Sequence, residues 1–217
     1  MKRLFVVVEG DSEERFVRGT LRDHLPGLDP VAIKVETSRG ADGRIRHGGG
    51  DWTKWCADIQ RTLRSPGDRI VTTMFDLYGL PKDFPERGTE SRFANTSEYA
   101  TALESAMAKA IGDKRFVPNL VRHEFETLVL AALSELERDL APAERARLAP
   151  LREALEEAGP EEINCGNTTA PSKRLQQAKV NYGKLTRGVP AVHAAGIAKL
   201  CTACPRFRTW IRKLEKL

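Results

Sequence analysis

The chain has 217 residues, of which 41% are hydrophobic and 30% are charged, and its formal net charge is +5. Length and composition fit one folded domain, or one domain with an appended lobe, and exclude collagenous, mucin-like and wholly disordered proteins. The charge is unevenly distributed, because Ser172–Leu217 carries a net +10 and the preceding 171 residues carry −5. A nucleic acid or an acidic protein surface is the kind of partner that such a basic end attracts.

The sequence shows no sign of a secretion signal or a membrane span. The N-terminal apolar run ends at Glu9 and Asp11, and no stretch reaches the roughly 18 apolar residues that cross a bilayer. The four cysteines are too few and too scattered for a disulfide scaffold in a chain of this length. We therefore expect a cytoplasmic protein that does not contact a membrane.

The first part of the chain alternates between strands and helices. The predicted elements are a strand at Leu4–Val8, a helix at Ser12–His24, a strand at Val31–Val35, a loop at Ser38–Gly50 and a helix that Asp51 caps and that ends at Leu63. The first strand is a continuous apolar run, which is typical of a strand buried on both faces. The loop contains five glycines, too many for a regular element.

The alternation continues to about residue 140, with a strand at Arg69–Phe75, a loop at Gly79–Gly88, a helix at Thr96–Ile111, a strand at Arg115–Val121 and a helix ending near Leu140. This order predicts an α/β fold with a mostly parallel sheet and flanking helices. After Pro142 we predict a helix at 142–157, a linker at 159–171 and mostly helix from 172 onward. We therefore expect an α/β domain over residues 1–140 and a helical, basic C-terminal lobe over residues 141–217 that packs on it.

Acidic residues follow three of the four predicted strands. Glu9 and Glu13 follow the first strand, Asp76 follows the third, and Glu124 and Glu126 follow the fourth. The carboxyl ends of parallel strands meet at one edge of a sheet, and carboxylates there suit the Mg²⁺ or Mn²⁺ ions of phosphodiester cleavage. The alternative is that each acid has a structural role. It would either stabilise a helix N-terminus from the first turn or occupy a turn between elements.

Two residues near these acids allow two interpretations each. His123 begins the segment HEFE, and it is either a turn residue or a group that binds phosphate or acts as a general acid. The segment lacks the second histidine of HExxH, so a zinc protease site is not supported. Tyr78 is either an aromatic residue at the edge of the core or a hydroxyl that contacts phosphate.

The basic end supplies the candidates for nucleic-acid binding, namely Lys173, Arg174, Lys184, Arg206 and Arg208. An apolar stripe with helical spacing lies among them, which indicates packing and consists of Phe207, Trp210, Ile211 and Leu214. Cys201 and Cys204 form a CxxC without the further ligands of a zinc site, and we interpret them as small buried residues.

Several motifs together resemble known families. The opening VEGDSE at residues 8–13 resembles the VEGxTE motif of Toprim domains, the metal-binding fold of topoisomerases, primases and overcoming-lysogenization-type nucleases. The segments FDLYGLP, HEFETL, PSKR, YGK and CPRFRTW, which occur in this order, resemble one bacterial family of unknown function. That family is regarded as Toprim-like, and its members often lie beside ABC- or SMC-type ATPases in gene neighbourhoods linked to phage defence.

The resemblance implies a set of site residues. Glu9 matches the Toprim glutamate, Glu13 matches the second acid of the opening motif, and Asp76 matches the first aspartate of the Toprim DxD. Tyr78 stands where the second aspartate is expected, and the two acids of HEFE are our hypothesis for the missing ligand. Lys173, in PSKR, is our candidate for a phosphate contact near the acids.

We therefore predict a Mg²⁺- or Mn²⁺-dependent nuclease that acts on DNA or RNA, with all five acids as metal ligands and with catalytic residues Glu9, Asp76, His123 and Glu124. The resemblance alone implies a partner ATPase and a role as effector of an antiviral defence system. The alternative is a catalytically degenerate adaptor for the ATPase, since the second aspartate is absent. A phosphotransfer enzyme or phosphatase with a nucleophilic Asp76 ranks last, and a homodimer is left open.

Overall fold

A computed structural model describes residues 2–39, 45–47, 50–163 and 169–217 of the chain. The chain divides into two units, Met1–Leu120 and Val121–Leu217. The domain boundary predicted after residue 140 stays a prediction.

The first unit contains the strands and the helices between them. Its elements are β1 (Arg3–Val8), α1 (Asp11–Phe16), α2 (Arg22–His24), β2 (Val31–Lys34), β3 (Glu36–Arg39), β4 (Ile45–His47), α3 (Trp52–Arg64), β5 (Arg69–Asp76), α4 (Thr96–Ile111), β6 (Phe116–Val117) and the first residue of β7 (Leu120–Val121). A π-helical turn at Val17–Leu21 joins α1 to α2, so the helix predicted at Ser12–His24 is continuous but distorted.

The main sheet is parallel and has the strand order β2-β1-β5-β6, with β7 also paired to β5. Its β1 strand is fully buried from Leu4 to Val8, apart from a slight exposure of Phe5, as expected for a strand covered on both faces. At the end of β1, Val8 lies opposite Lys34 of β2 and Met74 of β5. The α/β fold with a mostly parallel sheet is therefore confirmed.

Two amphipathic helices form much of the core beside the sheet. Asp51 caps α3 by accepting a hydrogen bond from the backbone N–H of Lys54 at 2.9 Å, as predicted. Apolar side chains of α3 and α4 pack with those of β5, and the Trp55 and Phe75 rings lie 4.3 Å apart between centroids. This packing holds β5, and with it the end of the strand at Asp76, in a fixed position.

Two sequence predictions for this unit were wrong in detail. The segment predicted as a loop contains the end of β3 and all of β4, which pair with each other in antiparallel fashion; residues 40–44 and 48–49 lie outside the described residues. Pairing between the two strands outweighs the weak strand propensity of a glycine-rich segment. The predicted fourth strand is split in two at Pro118, because proline has no N–H for the sheet.

The second unit is helical, as predicted. Its helices are α5 (Glu126–Ala131), α6 (Leu133–Arg138), α7 (Pro142–Arg147), α8 (Ala149–Ala158), α9 (Pro171–Gln177), α10 (Val189–Ala203) and α11 (Pro205–Leu214), with a π-helical turn at Lys184–Gly188. The predicted apolar stripe of α11 is buried, which confirms its packing role. None of the helices that the structure describes is long and apolar enough to cross a membrane.

The cysteines of the CxxC lie at the junction of α10 and α11. Cys204 is fully buried and Cys201 is partly buried, and burial raises the pKa of both thiols. Both features agree with the interpretation of these residues as small packing residues. Cys165 lies outside the described residues.

Candidate functional site

Glu9 and Asp76 meet at the carboxyl edge of the parallel sheet. Glu9 directly follows β1, and Asp76 is the last residue of the adjacent strand β5. The Glu9 Oε1 atom accepts a hydrogen bond from the backbone N–H of Asp76 at 2.7 Å. Both residues are partly buried. The structure thus brings together the acids predicted from the ends of the first and third strands, and we call Glu9, Glu13 and Asp76 the acid edge.

The carboxylate of Glu9 also packs against the turn that follows β5. This turn is closed by a hydrogen bond from the Gly79 N–H to the Asp76 carbonyl at 3.0 Å. A Cβ atom on residue 79 would lie 2.8 Å from Glu9 Oε2, closer than a real side chain can approach. Glycine at position 79 therefore permits the acid to lie directly against the turn.

Glu13 lies in the first turn of α1 and is 4% exposed. Its Oε2 atom accepts a hydrogen bond from the Gly10 N–H at 3.1 Å, so the carboxylate stabilises the helix N-terminus. This contact corresponds to the structural alternative for a first-turn acid. A role of Glu13 as metal ligand stays a prediction.

A cation that the sequence analysis missed lies at the same edge of the sheet. Lys34 ends β2, and its Nζ atom lies 2.9 Å from Glu14 and 3.0 Å from Asp11. The hydrogen bonds that the Lys34 ammonium donates to Glu14 and to Asp11 raise the pKa of Lys34. The two acids of α1 that do not belong to the acid edge, Asp11 and Glu14, therefore share one cation.

The donor atoms of the acid edge fit a hard divalent cation. Mg²⁺ is commonly held by one or two carboxylates together with waters and substrate phosphates, and Glu9 and Asp76 supply two carboxylates. In the part of the chain that the structure describes, no group of three or more His, Cys, Asp or Glu side chains is arranged to hold a metal ion. A cation held by Glu9 and Asp76 would complete its coordination with water and phosphate oxygens.

In the second unit, Glu126 is a buried carboxylate, 5% exposed, at the start of α5. Lys184 Nζ lies 3.2 Å from its Oε2 atom, and the Tyr182 hydroxyl donates to its Oε1 atom at 3.4 Å. Burial raises the pKa of Glu126, whereas the charge of Lys184 lowers it. The YGK motif therefore holds the second acid of HEFE in a buried ion pair.

Glu124 contacts the PSKR segment. Its Oε1 atom accepts a hydrogen bond at 2.6 Å from the N–H of Ser172, the second residue of α9. Ala170, which precedes α9, offers no side-chain acceptor, so a glutamate distant in sequence satisfies one of the free donors of this helix. Glu124 thus stabilises the helix that carries the predicted phosphate-binding residues.

Glu161, a residue that the sequence analysis did not select, has the equivalent role at α11. Its two carboxylate oxygens accept hydrogen bonds from the backbone N–H groups of Arg206 at 2.9 Å and Phe207 at 3.0 Å. Burial raises the pKa of Glu161, and these two N–H donors act in the opposite direction. Cys204 precedes α11 and makes no side-chain cap, so Glu161 takes the place of a local cap.

His123 is a buried turn residue with an unusual backbone conformation. Its φ angle is 70°, in the left-handed region that few non-glycine residues adopt, and its side chain is 1% exposed. Its Nε2 atom lies 2.9 Å from the Glu161 carbonyl oxygen. Burial lowers the pKa of His123, which favours the neutral ring. These features correspond to the structural alternative, and a catalytic role for His123 stays a prediction.

The basic residues predicted to bind nucleic acid differ in their surroundings. Lys184 is paired with Glu126, and Lys173 is exposed with its Nζ atom 3.3 Å from a side-chain oxygen of α9. Arg174 is partly buried and donates from Nε to the Thr169 carbonyl at 3.1 Å. Arg206 and Arg208 are also partly buried. Of the five, Lys173 is the most accessible to a phosphate.

Little in the sequence could have identified Glu161, because it lies in the segment predicted as a linker. The available signal was the pair Glu161-Glu162 directly after Pro160. Glu162 is structural as well, since both terminal nitrogens of Arg122 donate to its carboxylate at 2.5 and 2.7 Å. The described part of this linker is therefore fixed by specific contacts.

A protein family and a solved structure match this chain. The family described as "Domain of unknown function (DUF4276)" matches residues 8–215. Among solved structures, the chain is similar to the "C-terminal region of the Burkholderia pseudomallei OLD protein", with 18% sequence identity and a TM-score of 0.46 over 100% of this chain and 98% of that chain. No curated protein matches the chain significantly.

Proposed function

We propose that this chain, which belongs to the family described as "Domain of unknown function (DUF4276)", is a Mg²⁺- or Mn²⁺-dependent nuclease of Toprim type that acts on DNA or RNA. The observation that carries the proposal is the hydrogen bond from the Asp76 N–H to Glu9 Oε1 at the carboxyl edge of the parallel sheet. It joins two of the three acids that match the Toprim pattern. Such an edge is where reactive groups collect in parallel α/β sheets.

Within this proposal, Glu9 and Asp76 hold the cation and Glu13 supports them from the first turn of α1. The bound cation would activate water and neutralise charge on the scissile phosphate. The Asp76 N–H orients the carboxylate of Glu9, and Gly79 leaves room for its other oxygen. Glu124 and Glu126 remain candidate further ligands, with contacts to α9 and Lys184 that already give them structural roles.

The wider setting of the proposed nuclease is supported by charge and by the family resemblance. The segment Ser172–Leu217, with a net charge of +10, would attract the substrate while the more acidic remainder of the chain supplies the metal ligands. The family resemblance supports an ABC- or SMC-type ATPase as partner and a role as effector of antiviral defence.

The test measures whether the purified protein cleaves plasmid DNA, single-stranded DNA or tRNA. The reactions contain Mg²⁺ or Mn²⁺, and each is run with and without the proposed partner ATPase. We expect cleavage that requires the metal and that falls about 100-fold or more in E9Q and in D76N. Asp68→Asn is the matched control, because Asp68 directly precedes β5 at the opposite end of the same strand. Wild-type cleavage by E9Q and D76N would sink the proposal.

A second candidate function is a catalytically degenerate adaptor that binds the ATPase. It is favoured by Tyr78 at the position of the second Toprim aspartate and by the backbone hydrogen bonds that Glu9 and Glu13 accept. The adaptor predicts that E9Q D76N still binds the ATPase and still protects cells against phage. Loss of protection with ATPase binding intact would favour the nuclease instead.

A further inference from the structure

The turn after β5 carries Tyr78 beside the acid edge. The turn runs from Asp76 to Gly79 and is closed by a backbone hydrogen bond between these two residues. Glu9 contacts both ends of this turn, because its carboxylate accepts a hydrogen bond from the Asp76 N–H and packs against Gly79. The backbone of Tyr78 is therefore held between two points that the proposed metal ligand itself defines.

Tyr78 differs from its neighbours in exposure. Leu77 and Leu80 are 7% and 3% exposed and belong to the core, which anchors the turn, whereas Tyr78 is 37% exposed. Among the large hydrophobic residues in the part of the chain that the structure describes, Tyr78 is the most exposed. An exposed aromatic residue thus lies in the turn that packs against Glu9, two residues after Asp76, where the sequence pattern of the resemblance has an acid.

An accessible tyrosine ring suits a nucleobase. Stacking of bases on aromatic side chains is favourable and tolerant of sequence, because every base presents a π-face. The faces of paired bases are covered by their neighbours in a duplex, so a protein ring stacks on bases that are splayed out or unpaired. At position 78 the Toprim pattern has an aspartate that would bind metal. The tyrosine of this chain offers an aromatic surface for such a base instead.

We infer that Tyr78 is a substrate-binding residue that stacks on an unpaired nucleobase and so directs single-stranded or looped nucleic acid to the acid edge. This inference rests on the proposed nuclease function and specifies its substrate class. It replaces both sequence-based interpretations of Tyr78, since the ring and not the hydroxyl makes the contact.

The test is binding of the full chain to a labelled single-stranded oligonucleotide, as DNA and as RNA, and to the matching duplexes, measured by fluorescence anisotropy without divalent cations. We expect Y78A to weaken single-strand binding about 10- to 100-fold. Y78F should retain wild-type affinity, and Y78W should equal or exceed it. A 2-aminopurine base in the single strand should lose fluorescence on binding to wild type and keep it with Y78A.

Lys82→Ala is the matched control, because Lys82 is an exposed charge in the same loop. K82A should weaken the binding of single strand and duplex together, since it removes attraction to the phosphate backbone. Y78A should change the binding of the single strand alone. A thermal melt of Y78A that matches wild type shows that the fold is retained.

The inference is wrong if the wild type does not bind the single strand or if Y78A binds it with unchanged affinity. It is also wrong if Y78F and Y78A lose affinity equally, because that result would assign the contact to the hydroxyl. Loss of ATPase binding by Y78A with nucleic-acid affinity intact would make Tyr78 a protein-docking residue. Cleavage of the same oligonucleotides with Mn²⁺ separates the two proposals. Stacking without cleavage contradicts the nuclease, and cleavage without an effect of Y78A contradicts the stacking.

Discussion

Glutamates have different roles in the two units of this chain. In the first unit, Glu9 lies at a strand end, partly buried, beside Asp76 and against the turn that carries the exposed residue Tyr78. In the second unit, Glu161 is almost fully buried and both of its carboxylate oxygens accept backbone hydrogen bonds from α11. Glu9 thus lies at the sheet edge where we propose metal binding, whereas Glu161 stabilises a helix.

The contrast explains why the motifs of the second unit occur together. Both α9 and α11 begin with proline after a residue that makes no side-chain cap, so each helix has free N–H donors at its start. Glu124 and Glu161 satisfy these donors from other parts of the sequence. HEFE and PSKR are therefore linked by a direct contact, and they can be specific for the family without forming a catalytic site.

The largest expected effect on stability comes from the buried ion pair in the second unit. Lys184→Met leaves the carboxylate of Glu126 buried without its cation. We expect the free energy of unfolding to fall by about 2–3 kcal/mol, somewhat less than for a fully buried pair because Lys184 is one-third exposed. Urea denaturation of the full chain, followed by circular dichroism, measures the change.

Lys199→Met is the matched control for this prediction. Lys199 pairs with Glu135 at 2.9 Å, but its side chain is 43% exposed, so its loss should cost less than about 1 kcal/mol. Burial raises the folded-state pKa of Glu126 above its ordinary value, so the folded state takes up a proton on this carboxyl more readily than the unfolded state does. Protonation removes the unpaired charge, and the loss of unfolding free energy in K184M should therefore shrink as pH falls. Equal losses in K184M and K199M would mean that the pair is not structural.

A matched pair of glutamine substitutions compares the two units directly. Glu161→Gln replaces one of two accepting oxygens with an NH₂ group, which leaves a backbone N–H of α11 without its acceptor and should lower the free energy of unfolding by about 1–2 kcal/mol. Glu9→Gln can still accept the Asp76 N–H, so it should cost less than about 0.5 kcal/mol. The proposed cleavage should respond in the opposite way, with a large loss in E9Q and little in E161Q.

The exposed Glu156 of α8 supplies a baseline for both variants, since its substitution by glutamine should leave stability unchanged. Urea midpoints of the three proteins, together with cleavage rates, give the comparison. The distinction between the two units breaks down if E9Q destabilises the protein as much as E161Q does.

The acid edge could be predicted because it depends on local sequence. An apolar run followed by an acid gives a strand end with a carboxylate, and parallel pairing then brings Glu9 beside Asp76. The interruption of the fourth strand had a local signal in Pro118, which the prediction of one strand at Arg115–Val121 did not use. There Asn119 and Thr73 exchange side-chain and backbone hydrogen bonds at 2.7–3.0 Å that replace regular pairing beside Pro118.

The contacts of the second unit were not predictable, because they join residues far apart in sequence. Glu161 lies in a segment that composition marks as a linker, and its binding to α11 depends on tertiary packing. The same holds for His123, whose left-handed backbone and contact with the Glu161 carbonyl have no signature in the segment HEFE. Residue type identified the candidates here, whereas the contacts that they make depend on tertiary packing.

The smallest expected effect is a change in pH dependence at His123. Burial lowers the folded-state pKa of His123 below the value of about 6.5 in the unfolded chain, so the unfolded state binds more protons as pH falls below 6.5. This histidine therefore contributes a loss of stability that begins near pH 6.5 and ends when pH drops through the folded-state pKa.

His123→Asn removes the titration, and asparagine tolerates the left-handed backbone better than most residues. Unfolding free energies at stepped pH should give a flatter profile for H123N than for the wild type between neutral and mildly acidic pH. Identical slopes in H123N and wild type would show that the ring takes up its proton at the same pH in the folded and unfolded states, and the general-acid alternative for His123 would then regain support.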